Sequence, residues 1–164
     1  MNATYESLQI PEEARIWTYG LPLQLSGTMR NVLEEEIGAF VSGWAAHGQR
    51  LEAGFHILED RFLILWVDER EQAATGCSID DSVSFIRKLG EKLGTDLCDR
   101  NRVFFRGVSG SIEERDLQNI LAEARTGKEI PYATVMDFSA DRWKQWKLRF
   151  ERPLKESWMG RFIP

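Results

Sequence analysis

Cysteine, histidine and long apolar runs are scarce in this 164-residue sequence, which holds only two cysteines and two histidines. Cys77 and Cys98 flank a predicted helix about 24 Å long, whereas the Cα atoms of a disulfide lie within about 7 Å of each other. The histidines lack metal-binding spacings such as CxxC or HxxxH. The longest apolar run, at residues 62–67, is far shorter than the roughly 20 residues that cross a bilayer. We therefore expect reduced thiols, no metal site and no membrane span.

Signature motifs of nucleotide-dependent and hydrolytic enzymes are also missing from the sequence. Neither GxGxxG nor GxSxG occurs, and the TGKE segment at 126–129 has no glycine where the phosphate loop begins. This excludes ATP hydrolysis of the phosphate-loop type, and no cofactor is predicted. The start of the sequence has no basic segment followed by an apolar run, so we expect a cytoplasmic protein.

The composition is that of a soluble globular protein, with 43% hydrophobic and 29% charged residues. The net charge of -5 argues against general nucleic-acid binding. Bases nevertheless accumulate after residue 141, where aromatic residues recur every three or four positions. This stripe predicts a partner surface at Trp143, Trp146 and Trp158, although the same stripe could pack on a sheet with the bases facing water.

Hydrophobic periodicity predicts an α+β fold with a ferredoxin-like core. An apolar face at helical spacing runs through residues 28–47, and a second runs through 78–93, where Ser78 and Asp81 match a capping box. Short β-branched and aromatic runs predict strands at 15–19, 51–58, 61–68 and 102–108. The resulting order, β-α-β-β-α-β, is that of ferredoxin-like folds.

Residues 109–164 form a predicted C-terminal α/β extension of this core. It contains a further helix, a short strand at 133–138 and a helical end that is expected to break at Pro153. No repeat or low-complexity linker separates the two parts. We therefore predict a single domain over residues 1–164, with its core at about 12–108.

The predicted topology brings residues from distant parts of the chain to one rim of the core. A thiol at a helix N-terminus near histidine and bases has a lowered pKa, and Cys with His and a carboxylate is the pattern of an activated nucleophile. This interpretation makes Cys77 the nucleophile, His47 the base and Asp68 its orienting group. The ligand-binding residues predicted at the same rim are Ser78, Asp80, Arg106 and Arg15.

The same residues also allow a purely structural interpretation, in which Cys77 is buried and Ser78 caps a helix. We therefore expect a non-catalytic binding or regulatory protein that holds a small anionic ligand or a protein partner at the rim. A thiol-dependent enzyme or redox sensor that uses Cys77 is the first alternative. A structural or regulatory homodimer is the second, formed through the sheet face near Gly54 and His56 or through the aromatic tail.

Four segments of the sequence resemble a small family of uncharacterised bacterial proteins of about this length. They are AHG at 46–48, LILWVDE at 63–69, GCSIDDSV at 76–83 and PLKESWMGRF at 153–162. Members of that family often carry an automatic label of ABC transporter ATPase, which requires a phosphate loop that this sequence lacks. The resemblance implies a soluble cytosolic protein and brings no catalytic residues with it.

Overall fold

The computed structural model describes residues 3–22, 25–127, 130 and 134–163, whose backbone is a mixture of helices and antiparallel strands. The chain divides into two compact units. One consists of residues 1–98 with 141–144, and the other of residues 99–140 with 145–164. The prediction that the two units form a single domain stays a prediction.

The first unit contains a three-stranded antiparallel sheet and two long helices. Its elements are α1 (Ala3–Glu6), β1 (Arg15–Gly20), α2 (Gly27–Gly43), β2 (Ala45–Ala46), β3 (Gln49–Arg50), β4 (Glu52–Leu58), β5 (Phe62–Asp68) and α3 (Gly76–Leu93). The strand order in the sheet is β1-β5-β4, and β2 pairs with β3 in a separate short hairpin.

The core of the first unit packs α2 and α3 against one face of this sheet. Leu33 and Ile37 lie one turn apart on α2, and Ile86 faces them from α3. Leu63 and Leu65 complete the cluster from β5, and all five side chains are buried. Because helix residues four apart and alternate strand residues share a face, the periodicities that predict these elements also predict which side chains meet.

The hairpin of β4 and β5 confirms the prediction made from two apolar runs separated by a short polar step. Glu59 and Asp60 in its turn have φ values of +51° and +54°, as the left-handed turns favoured in hairpins require. Four consecutive residues of β5, from Phe62 to Leu65, are fully buried. A continuous apolar run is typical of a strand covered on both faces, and β5 is the central strand.

The second unit contains a four-stranded antiparallel sheet in the order β7-β6-β8-β9. Its elements are β6 (Arg102–Arg106), β7 (Ile112–Asp116), α4 (Leu117–Arg125), β8 (Thr134–Met136), α5 (Trp143–Arg149) and β9 (Glu151–Pro153), with residues 143–144 of α5 counted in the first unit. Two 3-10 turns follow, Leu154–Glu156 and Trp158–Phe162. The core combines strands, α4 and these turns through Val103, Phe105, Ile120, Val135, Leu154 and Met159.

The specific ferredoxin-like arrangement is not confirmed, because β6 lies outside the first sheet. This predicted fourth strand pairs with β7 and β8 instead. The edge of β1 is met by the segment 141–144, where the C=O of Asp141 accepts a hydrogen bond from the N–H of Ile16 at 3.0 Å. Val103, Phe104 and Phe105 are all buried, so the apolar pattern of β6 suits a central strand in either sheet and does not select its partner.

Two predicted boundaries differ from those of the structure, and one strand was not predicted. α2 ends at Gly43 rather than at His47, and the strand β7 was not predicted. The C-terminal helix ends at Arg149, and Pro153 lies in β9 rather than in a helix. Proline lacks an N–H but is tolerated on an outer strand, and β9 is the last strand of its sheet. Ala133, in the predicted strand at 133–138, lies outside the described residues.

Candidate functional site

The first turn of α3 is fixed by a capping box that lies one turn earlier than predicted. The hydroxyl of Thr75 accepts a hydrogen bond from the N–H of Ser78 at 3.3 Å, and the hydroxyl of Ser78 accepts one from the N–H of Thr75 at 2.8 Å. Thr75 is therefore the N-cap, and Ser78 is the third helical residue. Serine at the third helical position is not the acid or amide that the capping pattern specifies, so the pattern selected Ser78 with Asp81 and missed Thr75. Cys77 consequently lies inside the first turn rather than before it.

Two backbone amides of this turn donate no hydrogen bond to any residue that the structure describes. The first N–H groups of a helix have no partner within the helix. The N–H of Ile79 donates to the C=O of Thr75 at 2.9 Å, but those of Gly76 and Cys77 have no such acceptor. Both residues are exposed, so the expectation of a buried Cys77 is wrong. The positive end of α3 thus presents free donors to solvent.

His47 lies in the turn of the hairpin formed by β2 and β3, not at a helix end. His47 and Gly48 have φ values of +51° and +73°, which matches a two-residue hairpin turn with both central residues left-handed. His47 is exposed, and in the described part of the chain its side chain forms no hydrogen bond. It is therefore accessible from solvent.

Trp44, which precedes this hairpin, ties it to the first turn of α3. Its indole Nε1–H donates to the C=O of Ser78 at 2.8 Å. The ring is buried and lies 5.6 Å from that of Trp17 and 5.3 Å from that of Phe40, centroid to centroid. One buried contact therefore positions the segment that carries His47 beside the segment that carries Cys77. The sequence analysis assigned Trp44 only to the apolar face of a helix.

Asp68 does not orient His47, because both of its carboxylate oxygens are engaged by Arg70. Oδ1 accepts from the backbone N–H of Arg70 at 3.2 Å, and Oδ2 accepts from its Nε–H at 2.9 Å. These hydrogen bonds hold the pKa of Asp68 below its ordinary value. The predicted role of Asp68 is wrong because Arg70, two positions later, donates to both carboxylate oxygens, an arrangement that aspartate commonly adopts in turns.

Glu69, which follows β5, interacts with Arg15, Arg142 and the N–H of Ala74. The sequence analysis did not predict this role. Oε1 of Glu69 lies 3.7 Å from a guanidinium nitrogen of Arg15, and its Oε2 accepts from Arg142 at 2.9 Å. The N–H of Ala74 also donates to Glu69 at 3.1 Å, which fixes the loop leading into Thr75. Arg15 lies at the predicted end of the sheet, but it is paired with this carboxylate. The sequence does contain one indication of this role, because Glu69 is an acid that directly follows a buried strand and precedes a helix cap.

Arg106 and Asp80 have different surroundings from those predicted. Arg106 belongs to the second unit, where it pairs with Glu151 and donates to the C=O of Gly110 at 2.9 Å. Asp80 is an exposed residue in the second turn of α3. Its carboxylate is near enough to the helix start to repel a bound anion rather than to hold it.

The predicted aromatic partner surface is wrong for two of its three residues. Trp143 and Trp146 are buried, with 1% and 0% of their surface exposed, and Trp158 is partly buried. The stripe is also interrupted, because the chain leaves α5 at Arg149 and enters β9. The alternative, in which these rings pack inward, agrees with the burial of Trp143 and Trp146.

The two thiols are free and differ in exposure. Cys77 is exposed, whereas Cys98 is partly buried. Burial, and secondarily the carboxylate of Asp96, raise the pKa of the Cys98 thiol. Among the described residues, no cluster of three or more histidine, cysteine or acidic side chains could hold a metal ion, and no described helix is long and apolar enough to cross a membrane.

A shallow depression of about 290 Å³ lies in the second unit, where β6 begins and β7 ends. Arg102 and Glu114 at its wall form an ion pair at 2.7 Å, and Arg115 pairs with Glu123 outside it at 2.5 Å. The segment IEERD at 112–116 has four charged residues and no alternation of apolar and polar positions, so the sequence does not predict this strand. Both arginines of its lining are thus paired with glutamates, and Asp116 adds a further carboxylate, so the depression does not favour an anion.

The start of α3 combines two free amide donors with an exposed thiol, and Trp44 ties it to the hairpin whose turn carries the exposed His47. Such a site can hold an anion through backbone donors, or carry out thiol chemistry. No protein-family model, no curated protein and no solved structure matches the chain.

Proposed function

We propose that this protein is a non-catalytic binding protein that takes a small anion, such as a carboxylate, sulfate or phosphate group, at the first turn of α3. The single observation that carries the proposal is the pair of free N–H groups of Gly76 and Cys77. Both point from the positive end of an 18-residue helix, where backbone donors and the helix dipole together favour negative charge. The proposal includes a cytoplasmic location and membership of the bacterial family that GCSIDDSV resembles.

The surroundings support a site that is held rigid but binds weakly. Thr75 and Ser78 lock the turn through their reciprocal hydrogen bonds, and Trp44 fixes it from the side. Donors held in place before binding lose little conformational freedom when the ligand arrives. Asp80 and Asp81 are exposed one turn further along α3. Their negative charges repel the anion and are expected to lower its affinity.

Replacing Gly76 by proline is expected to weaken anion binding by about 10- to 100-fold without destabilising the protein. Gly76 is the first residue of α3, a position that favours proline, and Thr75 before it is already extended at φ -108° and ψ 168°. Proline removes one free N–H, and a hydrogen bond to a charged group contributes about 1.5–3 kcal/mol. Calorimetric titration with phosphate, sulfate and acetate, together with thermal unfolding, measures both quantities.

The matched control for that experiment is Gly76→Ala, which keeps the N–H. The alanine variant is expected to bind the anion like the unchanged protein. Equal binding by the proline and alanine variants contradicts the proposed role of the amide. Absence of saturable binding in the unchanged protein contradicts the proposed function altogether.

The exposure of Cys77 favours one alternative, a thiol-dependent enzyme or redox sensor. Cys77 is expected to react with iodoacetamide about tenfold or more faster than Cys98, because it is exposed while burial raises the pKa of Cys98. Mass spectrometry of peptides from a timed reaction measures both rates. A thiol function further requires that His47→Ala slow the reaction at Cys77 but not at Cys98. An unchanged rate at Cys77 leaves the cysteine as an accessible side chain without activation.

A further inference from the structure

The strand β4 has one edge that no strand of the described residues pairs with. β4 is the last strand in the order β1-β5-β4. Between Ala53 and Ile57 it carries neither proline nor lysine nor a charged side chain, which are the usual protections of an outer strand. All residues of this stretch are only partly buried. The edge is therefore open to a further strand.

The direction of the backbone groups on β4 follows from hydrogen bonds at its two ends. The C=O of Leu58 accepts from the N–H of Arg61 at 3.0 Å, on the side of β5. The N–H of Leu51 donates to the C=O of Trp44 at 2.9 Å, on the side of β2. Because backbone groups alternate in direction along a strand, Leu51 and Leu58 point to opposite sides. The residues whose N–H and C=O groups point away from β5 are Ala53, Phe55 and Ile57.

The length of the open edge restricts how a second strand can pair with it. β2 pairs with β3 on this same side and closes the edge before residue 52, and the turn at Glu59 and Asp60 closes it after residue 58. The open stretch is thus residues 52–58, and its centre is Phe55. A two-fold axis at Phe55 lets every outward N–H of one copy donate to an outward C=O of the other.

The side chains on this edge also complement themselves in that register. His56 of one copy faces Gly54 of the other, where the imidazole meets the indole of Trp66 that lies over Gly54. Glu52 is diagonal to His56 of the other copy, within reach of a long side chain. Within one chain these two residues are about 13 Å apart, too far for direct contact. Phe55 faces its own counterpart, an aromatic pair that stabilises neighbouring strands.

We infer that two copies of this chain associate through the open edge of β4, paired antiparallel about Phe55, to form one continuous six-stranded sheet. A contact limited to one short strand from each copy buries less than about 1,200 Å², the size of weak interfaces, so the dimer is expected to form only at high protein concentration. The occupant is a second copy because the pairing about Phe55 also brings Glu52 of each copy within reach of His56 of the other and places the two Phe55 side chains opposite each other. The inference does not depend on the anion site.

Sedimentation velocity over a range of protein concentrations, combined with amide hydrogen exchange followed by NMR, tests the inference. We expect dimers to accumulate with concentration and the amides of Ala53, Phe55 and Ile57 to exchange about tenfold more slowly at high concentration. The amide of Ser84, an exposed residue on α3, serves as the reference. A chain that stays monomeric overturns the inference and leaves the edge to a strand of another protein. A dimer in which those three amides exchange unchanged overturns it as well.

Two sets of variants test the register. Ala53→Pro removes an outward N–H from an outer strand, where proline is tolerated, and is expected to abolish the dimer, while Ala53→Ser keeps the N–H and the dimer. His56→Glu places a second acid beside Glu52 of the other copy and is expected to raise the Kd about tenfold. Combining His56→Glu with Glu52→Lys is expected to restore association. A double variant no better than His56→Glu alone contradicts the register.

Discussion

Replacing Trp44 with alanine is expected to lower the free energy of unfolding by about 3–5 kcal/mol, the usual cost of removing a buried tryptophan. The side chain is 2% exposed and fills the space between the hairpin, α2 and β1, where it contacts the rings of Trp17 and Phe40. The same change removes the donor to Ser78, so anion binding at α3 is expected to weaken too. Urea unfolding and calorimetric titration measure the two effects.

A phenylalanine at position 44 separates the hydrogen bond from the packing. Trp44→Phe keeps an aromatic ring against Phe40 but has no N–H for the C=O of Ser78, and is expected to cost about 1–3 kcal/mol. If Trp44→Ala unfolds the protein, the phenylalanine variant still reports on the contact. A loss below 1 kcal/mol for alanine contradicts the idea that Trp44 fixes the hairpin to α3.

Replacing Gly54 with alanine is the second change with a large expected effect, a loss of about 1–3 kcal/mol of stability from overpacking. A Cβ at this position would lie 2.8 Å from Nε1 of Trp66 and closer to two ring carbons. Trp66 is the cross-strand neighbour of Gly54 on β5, and a rigid indole has no flexible end that can yield. Thermal and urea unfolding of dilute protein, below the concentration at which dimers form, give the stability.

Gly38 provides the matched control for Gly54. A Cβ on Gly38 would lie 3.8 Å from Cε1 of Phe55, an ordinary contact, and the residue is inside α2. Gly38→Ala is therefore expected to raise stability by about 0.5–1 kcal/mol, since alanine favours the helix. Equal effects at the two glycines contradict the explanation. Combining Gly54→Ala with Trp66→Leu is expected to recover part of the loss.

The secondary structure of the first unit was largely predictable, and the pairing of strands was not. Each of four elements, α2, α3, β4 and β5, packs one face against the same core. The spacing of apolar residues in the sequence shows which face that is. Strand partners depend on contacts between residues far apart in sequence. β6 illustrates this limit, because its side chains are buried on both faces and would suit either sheet.

The candidate site shows a similar division between local and distant information. The sequence predicted a helix starting near Cys77 and a strand ending at Asp68, and the structure has α3 beginning at Gly76 and β5 ending at Asp68. It did not predict that Arg70 holds Asp68, nor that Trp44 reaches Ser78 across 34 positions of the chain. Side-chain partners of this kind are decided by orientation within the folded unit, which spacing does not record.

The amide resonances of Gly76 and Cys77 during a titration with phosphate provide the most direct test of the proposed anion site. The account predicts saturable downfield shifts of both signals, with one common Kd, because a bound anion accepts hydrogen bonds from both free N–H groups. The amide of Asn119 serves as the internal control, since it already donates to the cap Asp116 at 3.1 Å at the start of α4. Shifts that are linear and equal at all three amides would mean that phosphate does not bind at the start of α3, and would contradict the account.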